Sequence, residues 1–369
     1  MNILFLKLYI TEDVDNKFYN SQEIGMAKAL VDIHPEHRVD IVLLSNKISE
    51  ERSSEISPGI TLHLLPGKGI GHHGIIDLNI IRKYKPDVVH LLADNMLFAP
   101  NVIRYCQRNG IKCHAYIGTL FTDSKNLLRQ KLDKVMMRRN IKAYKTIPVY
   151  AKTPTVLDKC KKSGIDAKLA PVGMGKEEAV LSERTGEEIR EEFKLPKDKK
   201  ILLFVGRLEE YKHPLDAVDV LQKLDDSYVL LIVGKGPLQE ALDRKISEYT
   251  LKQRVIQLDK VHNTKMKDLF KVCDYYVNFN PDEIYGMAIL EAMCHECPVF
   301  AIKAPGPCFM IKEGETGFVC ESISEMAYRI EEYETGKTSK YLHLSDKTRK
   351  FVLENLMWDN TIRAIDDWN

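Results

Sequence analysis

Apolar residues along this chain form short runs, and stretches with apolar positions at helical spacing separate those runs. In the first half the runs predict strands at Asn2 to Leu8, Arg38 to Leu44, Ile60 to Leu65, Pro86 to Leu92, Ile111 to Ile117, Ile147 to Tyr150 and Ala167 to Ala170. The stretches between them predict helices at Ser21 to Val31, Leu78 to Tyr84 and Pro100 to Asn109. Strands that alternate with helices indicate a parallel sheet with helices on both faces.

The second half has the same architecture without repeating the sequence. Its predicted strands are Ile201 to Val205, Tyr228 to Val233, Tyr275 to Phe279 and Val299 to Ile302. A charge-rich segment from Lys176 to Lys200 precedes them, and a chain of 369 residues is too long for one ordinary core. We therefore predict an α/β protein with two doubly wound, Rossmann-like domains, at residues 1–175 and 176–350, followed by a helix over residues 351–369.

Two glutamates follow the predicted strand Tyr275 to Phe279. Glu283 lies at the carboxyl end of that strand, and Glu291 comes after seven intervening residues that include Gly286. A glycine lets the chain approach a ligand closely, and the amides that open the next helix favour an anion such as a diphosphate. The segment therefore predicts a site for a phosphorylated sugar, with an ordinary surface loop as the alternative.

A second segment places two cations after the strand Ile201 to Val205. Gly206 makes a turn, Arg207 follows it directly, and Lys212 precedes a helix that Pro214 can begin. Two fixed cations can neutralise a diphosphate and the charge that develops on it as a leaving group. The alternative is that both are solvated surface charges. A third segment, Gly234-Lys235-Gly236, ends another strand in a glycine loop and is a weak signal alone.

In this order and with these intervals, the three segments resemble the carboxyl-terminal domain of glycosyltransferase family 4. These are retaining enzymes of the GT-B fold, in which two Rossmann-like domains face a central cleft and the last helix packs back on the first domain. The resemblance implies that Arg207 and Lys212 hold the diphosphate, that Glu283 contacts the transferred sugar and that Glu291 binds the ribose. It further implies a donor site lined by Gly206, Val261, Tyr285, Gly286, Met287 and Ala288.

The chain departs from the family pattern at several positions. Ile284 stands where many members have glycine, which bears on the identity of the donor sugar. A glycine pair near the acceptor is replaced by Asn20, Ser21 and Gln22, polar residues suited to acceptor hydroxyls, although Ser21 equally suits a helix cap. A histidine that several relatives carry after the strand Ile111 to Ile117 is missing. His114 lies inside that strand and His90 inside another, so we assign no general base to either.

Composition excludes some classes of protein. A formal net charge of +1 gives no electrostatic argument for nucleic acid binding. No apolar run approaches the ~20 residues that span a bilayer, and the start lacks a secretory signal, so we expect a cytoplasmic protein with reduced cysteines. The spacing of Cys294 and Cys297 permits a zinc or redox site, but no second close pair completes it. The resemblance favours a turn there, and it implies no cofactor and no metal.

A basic segment over residues 124–145 suggests a contact outside the donor site. It carries eight lysines and arginines against the single acid Asp133, with Leu128, Leu132, Val135 and Met136 at helical spacing. Such a helix can rest on an anionic membrane surface, or its apolar stripe can pack on its own domain.

The expected function is transfer of a hexosyl group from a nucleoside-diphosphate sugar, with uridine favoured, to a hydroxyl of a glycan or lipid-linked acceptor. The alternative is a non-catalytic nucleotide-sugar-binding protein of the same fold. Asp13-Val14-Asp15 has the form of a metal-binding pair of another glycosyltransferase fold, but it comes too early in the chain for that fold. A nicotinamide oxidoreductase is disfavoured because no G-x-G-x-x-G turn follows a strand.

Overall fold

The computed structural model describes residues 1–11, 21–120 and 127–368, with the side chains of 127–130 and 132 excepted. The chain divides into two compact units. The first comprises Met1–Gly175 together with Leu356–Asn369, and the second comprises Lys176–Asn355. Residues 13–15, Asn20 and 124–126, which carry sequence predictions, lie outside the described ranges.

The elements alternate along both units. The strands are β1 Asn2–Thr11, β2 Arg38–Ser45, β3 Arg52–Ser57, β4 Ile60–Pro66, β5 Lys68–Ile70, β6 His73–Ile75, β7 Val88–Leu92, β8 Lys112–Ile117, β9 Val149–Ala151, β10 Ala167–Leu169, β11 Lys200–Val205, β12 Tyr228–Val233, β13 Val255–Leu258, β14 Tyr275–Asn278, β15 Val299–Ile302 and β16 Phe318–Cys320. The helices are α1 Gln22–Ile33, α2 Asn79–Tyr84, α3 Ala99–Arg108, α4 Leu127–Tyr144, α5 Pro154–Lys162, α6 Gly186–Glu192, α7 Pro214–Lys223, α8 Gln239–Glu248, α9 Met266–Val272, α10 Met287–Cys294, α11 Pro305–Met310, α12 Ile323–Gly336, α13 Leu344–Asn355 and α14 Trp358–Ala364.

The first unit is built on a sheet with the strand order β10-β9-β8-β7-β1-β2-β4-β3. These neighbours pair in parallel, except that β3 runs antiparallel to β4. The hairpin β5–β6 joins β1 through the pair Tyr9 and His73. Strand β7 is fully buried and β1 is buried over most of its length, which fits their largely apolar sequences.

The second unit contains a sheet with the strand order β13-β12-β11-β14-β15-β16, and every neighbouring pair is parallel. Leu203 in β11 has Leu231 of β12 on one side and Tyr276 of β14 on the other. The chain therefore builds the sheet outward from β11 in one direction and then from β14 in the other. In such sheets ligands bind beyond the carboxyl ends of the two strands at this reversal.

The carboxyl-terminal helix predicted over 351–369 is two helices, so that prediction of one continuous helix was wrong. Helix α13 ends at Asn355 in the second unit, and α14 begins at Trp358 in the first. The intervening backbone pairs with Met174, whose N–H donates to the carbonyl of Leu356 at 2.8 Å while its carbonyl accepts from Trp358 at 3.0 Å. A helix cannot continue through residues whose backbone groups are committed to this extended pairing.

No helix within the described ranges is both long enough and apolar enough to cross a membrane.

Candidate functional site

The predicted donor residues lie on the two loops that leave the sheet of the second unit at its reversal point. Arg207 and Lys212 follow β11, and Glu283 follows β14. Because β11 and β14 are parallel neighbours, their carboxyl ends emerge side by side. This strand order, and not proximity in sequence, brings the loops together.

An ion pair joins the two loops. Lys212 Nζ lies 2.7 Å from Glu283 Oε2, and the side chains are 24% and 13% exposed. Asn280 donates its side-chain amide to the same carboxylate oxygen at 3.3 Å, and its own side-chain oxygen accepts from the backbone of Asp282 at 3.0 Å. The Glu283 carboxylate is therefore held in one position by a cation and a buried amide.

Arg207 is 69% exposed and is oriented by contacts within its own loop. One guanidinium nitrogen lies 3.0 Å from Glu209, and another donates to the hydroxyl of Tyr211 at 2.8 Å. The ring of Tyr211 also contacts both cations, with its centroid 5.6 Å from Arg207 Cζ and 5.2 Å from Lys212 Nζ. Sequence reasoning missed Tyr211, although an aromatic residue directly before Lys212 was a visible signal for a cation–π contact.

The glycines of the second segment support the turn that carries Arg207. Gly234 has a φ of +144°, and a Cβ there would lie 1.9 Å from the carbonyl oxygen of Gly206. A Cβ at Gly236 would lie 2.5 Å from the carbonyl oxygen of Leu208. Leu208 also donates its amide to Lys235 at 3.1 Å. Two backbone turns pack against each other here, so glycine is required for close approach of protein backbone.

Helix α10 begins directly after the loop that carries Glu283. Gly286, with a φ of +94°, is its N-cap residue, and the first bond within the helix runs from Leu290 to the Gly286 carbonyl. The amides of Met287 and Ala288 thus precede the first intrahelical bond and point out of the helix start. They supply the partial positive charge of a helix N-terminus on the side of the loops described above.

The remaining donor-side residues also lie at this edge of the sheet. Burial raises the pKa of Tyr276, and the carboxylates of Glu283 and Glu291 add to that effect, so both acids lie near its hydroxyl. Tyr285 is buried, and Gly306 approaches its carbonyl so closely that a Cβ there would lie 2.3 Å from the oxygen. Val261 is nearly buried in the loop after β13.

The predicted acceptor residues lie in the first unit, where Asn20 is outside the described ranges. The hydroxyl of Ser21 donates to Glu23 at 2.6 Å and accepts from an amide in the first turn of α1 at 3.4 Å. Ser21 is therefore a helix cap, and Gln22 is the first residue of that helix. Sequence reasoning missed Glu23, a buried carboxylate 2.7 Å from Lys7 Nζ. Burial opposes its ionisation, but Lys7 and Ser21 hold its pKa below the usual value.

Comparison with known families identifies the second unit. Residues 185–351 match the family model described as glycosyl transferases group 1. Residues 185–351 are therefore similar to a group 1 glycosyltransferase domain, and they make up most of the second unit. This confirms the resemblance to glycosyltransferase family 4 that the motifs around Arg207 and Glu283 indicated.

Solved structures confirm the predicted GT-B fold class. HepE of Anabaena, solved in complex with UDP, matches with a TM-score of 0.77 at 15% identity over 98% of each chain. Sucrose-phosphate synthase of Thermosynechococcus elongatus matches with a TM-score of 0.75 at 17% identity, over 98% of this chain and 96% of that one. At these identities the similarity establishes the fold alone.

Curated relatives match this chain over shorter ranges. A putative teichuronic acid biosynthesis glycosyltransferase, TuaC of Bacillus subtilis, is 28% identical over 146 residues, which is 40% of this chain and 36% of TuaC. The human alpha-1,3/1,6-mannosyltransferase ALG2 is 32% identical over 144 residues, 34% of this chain and 35% of ALG2. The matches span just over a third of the length of the first relatives. These names support the prediction of a transferase enzyme.

The cysteine pair of the second unit is part of its core. Cys294 and Cys297 are buried and unbonded to each other, and the Cys297 thiol lies 3.6 Å from the carbonyl of Cys273. Between them, His295 is buried and its pKa falls to about 4, chiefly because of that burial. Arg349 donates to the carbonyl of Cys294, which fixes the end of α10. These contacts describe a packed helix end.

The two strand histidines are buried in the first unit. His90 Nδ1 and His114 Nε2 lie 2.7 Å apart, and both rings contact Trp368. Burial lowers the pKa of His114 to about 4 and that of His90 well below its usual value. Both are therefore neutral near pH 7 and packed inside the unit.

Proposed function

We propose that this chain is a retaining glycosyltransferase that moves a hexosyl group from a nucleoside-diphosphate sugar to a hydroxyl group. The observation that carries the proposal is the Lys212–Glu283 pair at the reversal point of the sheet, with Arg207 beside it. A cation for phosphate and a carboxylate for sugar hydroxyls are the two groups that such a donor requires. Uridine is the favoured base, and the structure of HepE in complex with UDP and glucose supports that preference by analogy.

The cations act on the leaving group in this proposal. Cleavage of the glycosidic bond leaves negative charge on the diphosphate, and Arg207 and Lys212 stabilise that charge. The amides of Met287 and Ala288 add the positive end of α10. These groups are fixed before the reaction, so they need little reorganisation as the charge develops. We propose that they replace a metal ion, and donor turnover should therefore persist in EDTA.

The two glutamates act on hydroxyl groups. Glu283 orients the transferred sugar, and Glu291, in the second turn of α10, binds the ribose. With no base assigned to His90 or His114, the departing phosphate accepts the proton of the incoming hydroxyl. Retention of the anomeric configuration rests on the family resemblance.

The acceptor in this proposal is a glycan or a lipid-linked sugar, and α4 is proposed to contact an anionic membrane surface. On α4 Val135 is 65% exposed, and the neighbouring Lys134 and Arg138 are exposed too. Farther along, Asn140 and Tyr144 anchor the helix through hydrogen bonds to the loop after β7. The exposed apolar side chain among cations is suited to headgroups, each basic residue contributing about 1 kcal/mol.

A thermal-shift panel of nucleoside diphosphates and their sugars tests the donor. We expect stabilisation by uridine nucleotides, because binding to the folded state raises the unfolding temperature. Stabilisation confined to a guanosine nucleotide would contradict the uridine preference while leaving the site itself intact.

Turnover separates the enzyme from the alternative, a non-catalytic nucleotide-sugar-binding protein. Donor hydrolysis and transfer are measured for the parent, Arg207→Ala and Glu283→Ala. We expect both variants to lose about 10²-fold in rate, as when one fixed stabilising group is removed from a transition state. Equal turnover in all three proteins would show that these residues are not catalytic, and binding without turnover in the parent would favour the non-catalytic alternative.

A further inference from the structure

The turn between α1 and β2 in the first unit carries an unassigned cluster of side chains. Its sequence is His34-Pro35-Glu36-His37, and the amide of His37 donates to the carbonyl of His34 at 2.9 Å. Pro35 fixes the first corner of this turn, since its ring sets φ near that of a turn residue. As a result the two imidazole rings stack, with centroids 4.9 Å apart and planes 13° apart.

The ligand atoms of this cluster have the spacing that a small metal ion requires. His34 Nδ1 lies 3.7 Å from Glu36 Oε1, and His37 Nδ1 lies 3.3 Å from the same oxygen. All three atoms lie within 4.8 Å of one another. Two ligands bound tetrahedrally at about 2.0–2.1 Å are roughly 3.3 Å apart, so little movement is needed to bind an ion.

The ring nitrogen of His37 that points away from Glu36, Nε2, has a hydrogen-bond partner of the kind seen in known histidine metal sites. His37 Nε2 lies 3.2 Å from the backbone carbonyl of Trp368, to which it must donate because a carbonyl can only accept. The lone pair of the neutral ring is therefore on Nδ1, the atom that faces Glu36. Such a carbonyl–histidine contact orients the ring and raises its basicity toward a metal. Burial lowers the pKa of His37, which favours the neutral ring.

The other groups around His37 are compatible with a bound ion. Glu36 is 65% exposed, and its pKa is lowered, first by its own backbone and then by the neighbouring histidines, so it is ionised near pH 7. The nitrogen of Met1 lies 3.3 Å from His37 Nδ1 and donates to that atom. A metal ion would displace this donor, and water would complete its coordination.

We propose that His34, Glu36 and His37 bind one divalent transition-metal ion, with zinc as the best match to two imidazoles and one carboxylate. Because His37 holds the Trp368 carbonyl, the ion would fasten the carboxyl-terminal segment to the turn after α1. The site lies in the first unit, so it is separate from the proposed donor chemistry of the second.

Zinc binding is measured by calorimetry on untagged, chelator-treated protein, using the metal alone. We expect one equivalent of Zn²⁺ to bind and to raise the unfolding temperature. His34→Ala and Glu36→Ala should each weaken binding at least about 10-fold. His37→Gln should do the same, since glutamine can keep the bond to Trp368 but lacks the ring nitrogen. The partly exposed His34 and the exposed Glu36 keep the test valid if the His37 variant unfolds.

The matched control is His343→Ala. His343 Nδ1 lies 3.6 Å from Asp346, so it offers an exposed histidine–carboxylate pair without a second imidazole. Its removal should leave the affinity unchanged. Cobalt substitution adds a second readout, because a spectrum without thiolate charge transfer excludes binding at the exposed Cys308. Equal zinc affinity in the parent and in a His34→Ala/Glu36→Ala double variant would overturn the proposal, whatever the outcome of the donor assays.

Discussion

Replacing Glu283 with glutamine tests whether its ion pair with Lys212 opposes the binding of a diphosphate at the proposed donor site. In the structure the lysine that should hold the diphosphate is already bonded to a carboxylate at 2.7 Å. A nucleoside diphosphate lacks the transferred hexosyl group that would contact Glu283. Its phosphates must therefore draw Lys212 away from Glu283 without giving the carboxylate a new partner. A glutamine keeps the shape of the side chain but removes the charge that holds Lys212.

The size of the effect follows from the burial of the pair. Hydrogen bonds between charged groups contribute about 1.5–3 kcal/mol, and the 24% exposure of Lys212 places this pair near the lower end. A gain of about 1–2 kcal/mol corresponds to roughly 5- to 30-fold tighter binding of UDP. Transfer from UDP-sugar should nevertheless fall about 10²-fold if Glu283 orients the sugar as proposed.

Calorimetric titration with UDP measures the first effect, and a coupled assay of UDP release measures the second. The control is Glu210→Gln, which makes the same change of charge at an exposed position of the loop that carries Lys212. It should alter UDP affinity less than about 2-fold. If Glu283→Gln bound UDP no more tightly than Glu210→Gln, the ion pair would not oppose diphosphate binding and the reasoning would be refuted.

Three further substitutions test contacts that position Arg207, pack the glycine turn and bury His114. Tyr211→Phe keeps the ring but removes the hydroxyl that accepts from Arg207, so donor affinity measured by titration should fall about 5-fold; an unchanged affinity would contradict a positioning role. Gly234→Ala should lower the free energy of unfolding, measured by urea titration, by about 2 kcal/mol or more, because the new Cβ would meet a carbonyl oxygen. Gly110→Ala is the control, also at positive φ but in open space, and its free energy of unfolding should fall by less. The pKa of His114 is lowered from 6.5 to about 4, so as the pH falls the unfolded chain takes up the proton before the folded one. The free energy of unfolding should therefore be highest well above pH 6.5 and fall by about 2 kcal/mol by pH 5. His114→Gln should show a smaller fall over the same range.

Local pattern was sufficient to predict most of the architecture. Continuous apolar runs such as β1 and β12 are typical of strands that are covered on both faces, and their alternation with helices required a parallel sheet. The break after Asn355 was not predictable in this way, because residues 351–368 contain no proline or glycine that would interrupt a helix. Pairing with Met174, a residue far away in sequence, decides it.

The motifs predicted a shared site but not the contacts within it. The motifs indicated that Lys212 and Glu283 belong to one site, but they assigned the lysine to phosphate and the glutamate to sugar. Their direct contact joins residues 71 positions apart, and no local rule specifies such a contact. Tyr211 and Glu23 were missed for the same reason. Each matters through its contact with a partner, Arg207 or Lys7, and only the folded chain shows that contact.

The strand order explains why residues so distant in sequence share one site. In a parallel sheet, every loop at the carboxyl edge faces the same direction, but helices that connect adjacent strands fill most of the space between loops. At β11 and β14 the chain leaves the sheet toward opposite sides, so a crevice opens between the two strand ends. A cation placed after β11 and an acid placed after β14 must then face each other across that crevice. In the structure Lys212 and Glu283 neutralise each other, and under the proposed function a ligand that carries both an anion and hydroxyl groups would give each of them a new partner. A ligand with only one of these features would leave one residue without a partner, so we expect the pair to favour the intact nucleotide sugar over its diphosphate product.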